Sequence, residues 1–228
     1  MFFFDTTYLW LVMIPSLVIS FFAQMWVRNA YNKWGNTRNS AGLTGAQIGP
    51  RLLDVGDLHG VRFEATPGEM TDHYDPSGHV VRMSEGVAAT PSVASIAIVA
   101  HELGHAQQHE QHSPFIAMRS FLLPAMRFSP TAAYALILAG FLFNILDLAW
   151  IGVGFFSITV LFMLLTLPVE FDASRRGMKL LQSSGLVTGE DASGARQMLT
   201  AAALTYVAAF VSSLLTLLYY ISLLSRRD

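Results

Sequence analysis

His101-Glu102-Leu103-Gly104-His105 combines residue types and spacing that can do metal chemistry. The stretch sits in residues 95–112, where apolar Ile96, Ala97, Ile98, Val99 and Ala100 give way to polar Gln107, Gln108 and Glu110, the pattern of one helix. On a helix His101 and His105 are one turn apart on one face, so both imidazoles can bind a single Zn²⁺. Glu102 then lies beside the metal, placed to take a proton from a water that the metal activates. The chain has no cysteine, so any further zinc ligand must be His or a carboxylate. The chemistry predicted is that of a zinc hydrolase.

The elements that must position this helix belong to a membrane protein. The chain is 53% hydrophobic and 13% charged, and its mean hydropathy is +0.44, too apolar for an ordinary soluble domain. A net charge of −2 gives no nucleic-acid footprint. Residues 8–27 are apolar for long enough to cross a bilayer of ~30 Å, and Arg28, Lys33 and Arg38 follow at once. Asp5 rather than a basic segment precedes the run, which argues against a cleaved signal peptide. Residues 131–167 carry one charge, Asp147, and are expected to form two spans that turn near residues 147–152. A last apolar run covers residues 200–224. Residues 113–129, with Arg119 and Arg127 among apolar neighbours, suit a helix lying at the interface.

Between the first span and the zinc motif the chain is polar and glycine-rich. Residues 44–56 are predicted to form a short helix, and residues 61–65 and 79–83 alternate as short strands do. Asp72-His73-Tyr74-Asp75-Pro76-Ser77-Gly78 carries turn chemistry between them. A strand just ahead of the metal helix could bind an extended substrate by β-addition to its edge. His59, His73 and His79 read as surface or turn histidines, and His109 and His112 as polar residues at the exposed end of the helix. Residues 168–176 are expected to start another helix that ends at Ser183-Ser184-Gly185, and Thr188-Gly189-Glu190-Asp191 to start the next.

The fold class expected is therefore mainly α: a polytopic membrane protein with about four transmembrane helices and a small β-containing extramembrane zinc-peptidase region. Its segments are 1–27, the first span; 28–128, with the strands, the zinc helix and the interfacial helix; 129–168, a transmembrane hairpin; 169–199, the third-ligand helix and its connection; and 200–228, the last span and tail. Of the 14 Lys and Arg, only Arg226 and Arg227 then fall outside the cytoplasmic side. Both termini lie outside and the zinc helix faces the cytoplasm.

Catalytic zinc takes three protein ligands and a water. The Cα of His109 lies ~12 Å along the helix from that of His101, a long reach for two imidazoles on one ion. A metzincin requires His at position 111, where Gln111 stands. Asp147 would serve a site-2-type intramembrane protease, but no Gly follows it and the topology puts it across the membrane from His101. Glu170 is separated from the zinc helix by two spans, so the chain has returned to the side it left. Asp172, ~200° further around that helix, should point away from the metal.

These residues lie in stretches that resemble the YugP-type bacterial membrane zinc metallopeptidases. The stretches are Asp72-His73-Tyr74-Asp75-Pro76, Met83-Ser84-Glu85, Ser95-Ile96-Ala97, the zinc motif through Gln108, and Leu167-Pro168-Val169-Glu170-Phe171-Asp172-Ala173-Ser174-Arg175-Arg176. The resemblance runs from about residue 30 to the last span. More remotely the arrangement is similar to the HtpX and CAAX-prenyl type proteases, gluzincins whose third ligand is the Glu of a Glu-x-x-x-Asp pattern. Ser174 stands here where that pattern has Asp. Membership implies His101, His105 and Glu170 as zinc ligands, Glu102 as general base, and a multi-pass protein of the bacterial inner membrane.

The expected function is peptide-bond hydrolysis by a zinc-activated water, in membrane-protein quality control. Peptides or membrane proteins are the expected substrates, the bilayer is a partner, nucleic acid is not, and a homo-oligomer or accessory membrane partner is left open. His73, Tyr74, Arg175, Arg176 and Tyr206 are candidates to stabilise the oxyanion. The rival readings are a site-2-type protease using Asp147 and a non-catalytic membrane scaffold with a relict zinc site.

Overall fold

The computed structural model describes residues 5–227; residues 1–4 of the expected first segment and Asp228 of the last lie outside the described residues. In chain order the elements are α1 (Thr6–Gly35, with π-type winding over Leu9–Met13), α2 (Gly45–Gly56), β1 (Arg62–Thr66), β2 (His73–Asp75), β3 (Val80–Ser84), α3 (Glu85–Ala89), α4 (Val93–Glu110), α5 (Pro114–Met126), α6 (Ser129–Leu142), α7 (Leu146–Ser183) and α8 (Gly189–Ser225). The protein is mainly helical with one small sheet, as its hydropathy pattern predicts. It divides into two compact units, one of residues 25–116 and 169–203, the other of residues 1–24, 117–168 and 204–228.

The first unit is built around α4. Ser92 caps this helix, its Oγ accepting the N–H of Ser95 at 3.0 Å. Ile96, Val99 and Leu103 are fully buried against Ile48 and Leu52 of α2, Val81 and Met83 of β3, Leu181 of α7 and Met198 of α8. Burying each such side chain contributes about 1.5–3 kcal/mol. Helix α2 begins at a capping box in which Thr44 and Gln47 satisfy each other's main-chain N–H groups.

The sheet has the order β1-β3-β2, with β1 parallel and β2 antiparallel to β3. Arg82 of β3 ties both neighbours, bonding Glu64 of β1 at 3.1 Å and Asp75 of β2 at 2.8 Å. Two sequence expectations change here. The stretch read as a turn holds a strand, β2, and the strand preceding the zinc helix is central rather than an edge. Both sides of β3 are paired, so it cannot accept a substrate strand.

In the second unit α6 and α7 form a close antiparallel pair. A Cβ on Gly140 would stand 2.6 Å from the main-chain N of Ala149, and one on Gly152 would meet Ile137 at 2.7 Å, so only small residues allow this approach. Leu17, Phe21, Leu138, Leu142, Ile151, Leu161 and Leu218 remain exposed, an apolar surface that suits lipid contact. By length and composition α1, α7 and α8 can each cross a membrane, and α5 with α6, bent by 49°, makes a fourth candidate.

The spans differ in detail from expectation. The chain turns at residues 143–145, where Asn144 takes φ 54°, ahead of Asp147 rather than after it. Pro168 lies inside α7 and starts no new helix, and α8 runs unbroken from Gly189 through the last apolar run. Residues 114–126, expected as an interfacial helix, form one arm of a bent pair with α6, which alone has 14 residues, or ~21 Å, too short to span.

Candidate metal centre

His101 and His105 stand one turn apart on α4, and Glu170 of α7 faces both. The carboxylate Oε2 is 3.4 Å from His101 Nε2 and 3.6 Å from His105 Nε2. Each residue offers a ligand atom within 4.8 Å of the other two. Atoms bound ~2.1 Å from a tetrahedral ion lie ~3.4 Å apart, so the spacing fits one zinc.

The helices come this close because of two glycines. A Cβ on Gly104 would lie 2.3 Å from the carbonyl oxygen of Ala173, and one on Gly177 would lie 2.6 Å from that of Ala100. Main chain therefore packs on main chain where α4 crosses α7. The glycine between the two histidines is a packing requirement of the site.

Both imidazoles are held by their outer nitrogens. His105 Nδ1 donates to Gln108 Oε1 at 3.0 Å. Gln108 Nε2 in turn donates to the Val169 carbonyl at 2.8 Å and to Asp172 Oδ2 at 2.9 Å, which fixes which end of the amide faces the ring. Asp172 also accepts from Arg175 and from Arg176 Nε. The Ser174 hydroxyl is 3.1 Å from His101 Nδ1. The proton on His105 Nδ1 leaves its Nε2 lone pair facing Glu170, and a proton on His101 Nδ1, donated to Ser174, would turn the His101 lone pair the same way.

The fit to a cation rests on Glu170 itself. Its side chain is buried, and Oε2 has no hydrogen-bond donor among the described residues. A buried carboxylate oxygen without a hydrogen-bond donor is costly unless a positive charge balances it. Two imidazoles and one carboxylate without thiolate form a donor set that suits zinc.

Glu102 is buried, and its Oε2 accepts the main-chain N–H of Tyr74 in β2 at 2.8 Å. The Tyr74 hydroxyl bonds His79 Nδ1 at 2.7 Å and lies 3.4 Å from His109 Nδ1. Burial first, then the charges of Glu110 and Asp75, push the Tyr74 hydroxyl up to about 12. Burial also raises the carboxyl of Asp72, against the pull of its bonds from Ser84.

The remaining sequence candidates stand elsewhere. His109 is engaged with Tyr74, His73 with the Thr71 carbonyl and Arg82, and Arg175 and Arg176 with Asp172. Asp147 is exposed in the first turn of α7 and is not in the histidine–glutamate group, and Tyr206 lies on α8 in the other unit. Asp172, expected to point away, is joined to His105 through Gln108. Gln108, which the sequence marks only as a polar residue of the zinc helix, is fully buried. Its position three residues after His105 was the available signal.

Residues 9–225 match the family described as "Putative neutral zinc metallopeptidase". The chain is 40% identical over 216 residues to the Bacillus subtilis (strain 168) protein described as "Putative membrane protease YugP", covering 94% of this chain and 96% of that one. No solved structure matches it. A match that leaves out only the two ends of the chain makes this protein a member of that zinc metallopeptidase family, in agreement with the resemblance carried by its motifs.

Proposed function

We propose that the protein is a membrane-embedded zinc peptidase in which His101, His105 and Glu170 hold the metal and Glu102 is the general base. Bound zinc supplies a Lewis acid for the scissile carbonyl and makes the attacking water more acidic. Glu102 takes a proton from that water as its oxygen bonds to the carbonyl carbon. It returns the proton to the amine nitrogen as the C–N bond breaks. The Tyr74 N–H holds one oxygen of Glu102, leaving Oε1 to carry the proton. Gln108 and Ser174 keep the two rings oriented.

The observation that supports this reading best is the buried Glu170 oxygen set against two imidazoles whose outer nitrogens are already committed. Peptide substrates and membrane association follow from the family. Membrane-protein quality control, a location in the bacterial inner membrane and a site facing the cytoplasm are part of the proposal. The orientation draws on the basic residues Arg28, Lys33, Arg38, Arg175, Arg176 and Lys179 that flank the apolar helices.

The test is zinc content and cleavage of unstructured casein by the detergent-purified protein. Wild type should hold about one zinc per chain, Glu170→Ala none, and Asp147→Ala as much as wild type. Glu102→Gln should keep its zinc and lose cleavage by about 10²-fold or more. Cleavage retained in Glu102→Gln would overturn the assignment of the base.

A further inference from the structure

A cavity of about 390 Å³ opens between α7 and α8, lined by Phe171, Arg175, Met178, Lys179, Arg196 and Leu199 among others. Its chemistry is two-sided. Arg175 and Lys179, one turn apart on α7, and Arg196 on α8 bring three cations to one opening, and no acidic residue lines it. Among the described residues, Lys179 and Arg196 have no carboxylate within ion-pair distance, whereas Arg175 bonds Asp172. Met178, Leu199 and half-exposed Phe171 line the same opening. Lys179 and Arg196 are thus like charges without a counter-charge, an anion joining them relieves their repulsion, and the apolar lining gives that anion a hydrocarbon neighbour.

The position in the chain narrows the anion further. The cavity falls where the apolar run ending at Leu167 passes into the charged part of α7, and where the charged start of α8 passes into the apolar run from Thr200. Both helices reach a membrane boundary at this level, where lipid headgroups lie, and basic pockets between spanning helices select anionic ones. The volume is that of a headgroup with its glycerol, at the low end of small-ligand pockets.

We propose that this cavity binds the headgroup of an anionic glycerophospholipid, its phosphate on Lys179, Arg196 and Arg175 and its first acyl carbons on Phe171 and Leu199. Ser174, which also lines the cavity, bonds His101, so the two sites adjoin, but the phosphate contacts proposed use none of the zinc-ligand residues.

The test uses the full-length chain in a neutral detergent, titrated with phosphatidylglycerol, phosphatidylcholine and inorganic phosphate and read by native mass spectrometry. Phosphatidylglycerol should bind one tight site, and Lys179→Gln with Arg196→Gln should weaken it by roughly 30-fold, the loss of two basic contacts. The charge-keeping pair Lys179→Arg with Arg196→Lys should retain it, which separates lost charge from lost fold. Equal affinity of wild type and the Gln pair overturns the proposal, as does equal binding of the two lipids. Inorganic phosphate binding as tightly as the lipid would assign a free-anion site instead. Displacement of phosphatidylglycerol by a peptide with an acidic C-terminus at equal concentration would assign a substrate subsite, and it also overturns the lipid.

Discussion

Gln108 and Asp172 are joined by a buried hydrogen bond of 2.9 Å that makes the amide of α4 answer to a carboxylate on α7. The Gln108 carbonyl then has no freedom but to face His105. Replacing Gln108 with Leu keeps the volume and removes the acceptor. Zinc affinity, measured by competition with a coloured chelator, should fall about 10–100-fold. Unchanged affinity would show that packing alone orients the ring.

Ser174 tests the same idea on the other histidine. Ser174→Ala should weaken zinc by about tenfold or more, because His101 Nδ1 loses its partner. Ser174→Asp, which restores the carboxylate of the Glu-x-x-x-Asp pattern, should bind at least as tightly as wild type. A loss in both variants would mean that the site needs the size of serine and not its hydrogen bond.

Gly104→Ala should be damaging although alanine favours helix. Its Cβ would lie 2.3 Å from the Ala173 carbonyl oxygen, so α4 and α7 must separate. Overpacking of this kind costs about 1–3 kcal/mol. Thermal unfolding in detergent should shift down and zinc content should fall together. A variant with normal zinc content would show that the crossing tolerates a wider gap.

Tyr74 should be visible in alkaline titration. Its hydroxyl is held at about 12 against an ordinary value of 10.0, so the folded state keeps a proton that the unfolded chain has lost in that interval. The resulting stability is complete below pH 10 and disappears as the pH climbs towards 12. The near-ultraviolet phenolate difference between wild type and Tyr74→Phe should therefore develop close to pH 12. A difference centred near pH 10 would contradict the burial of this hydroxyl.

The candidate metal centre of this protein is more legible in its sequence than the apolar helices, for physical reasons. A helix fixes the relation of His101, Glu102 and His105 by its period alone, and counting spans returned Glu170 to their side. Only its place three residues after His105 marks Gln108, because a glutamine in a helix looks like surface until the neighbour that buries it is known. Within residues 131–167 nearly every residue favours lipid equally, so composition cannot place the turn. Asn144, which tolerates a left-handed backbone, is the residue that makes it. Pro168 suggested a helix start, since proline is at home there, but a long apolar helix can absorb it when neighbouring groups satisfy the freed carbonyl. Strand β2 has three residues and sits within turn-forming sequence, so its pairing with β3 and its hold on Glu102 come from tertiary contact.

Helix α7 is unbroken from Leu146 to Ser183, so its long apolar stretch and the carboxylate facing the histidines lie along one helical rod. Sliding that rod by a single residue moves Glu170 by ~1.5 Å. A zinc–ligand bond tolerates only about 0.2 Å. As the proposed third zinc ligand, Glu170 would meet the histidines at only one register of α7, which would make bilayer thickness a variable of the proposed centre. Reconstitution into lipids of graded chain length is, for this protein, also a titration of its coordination sphere.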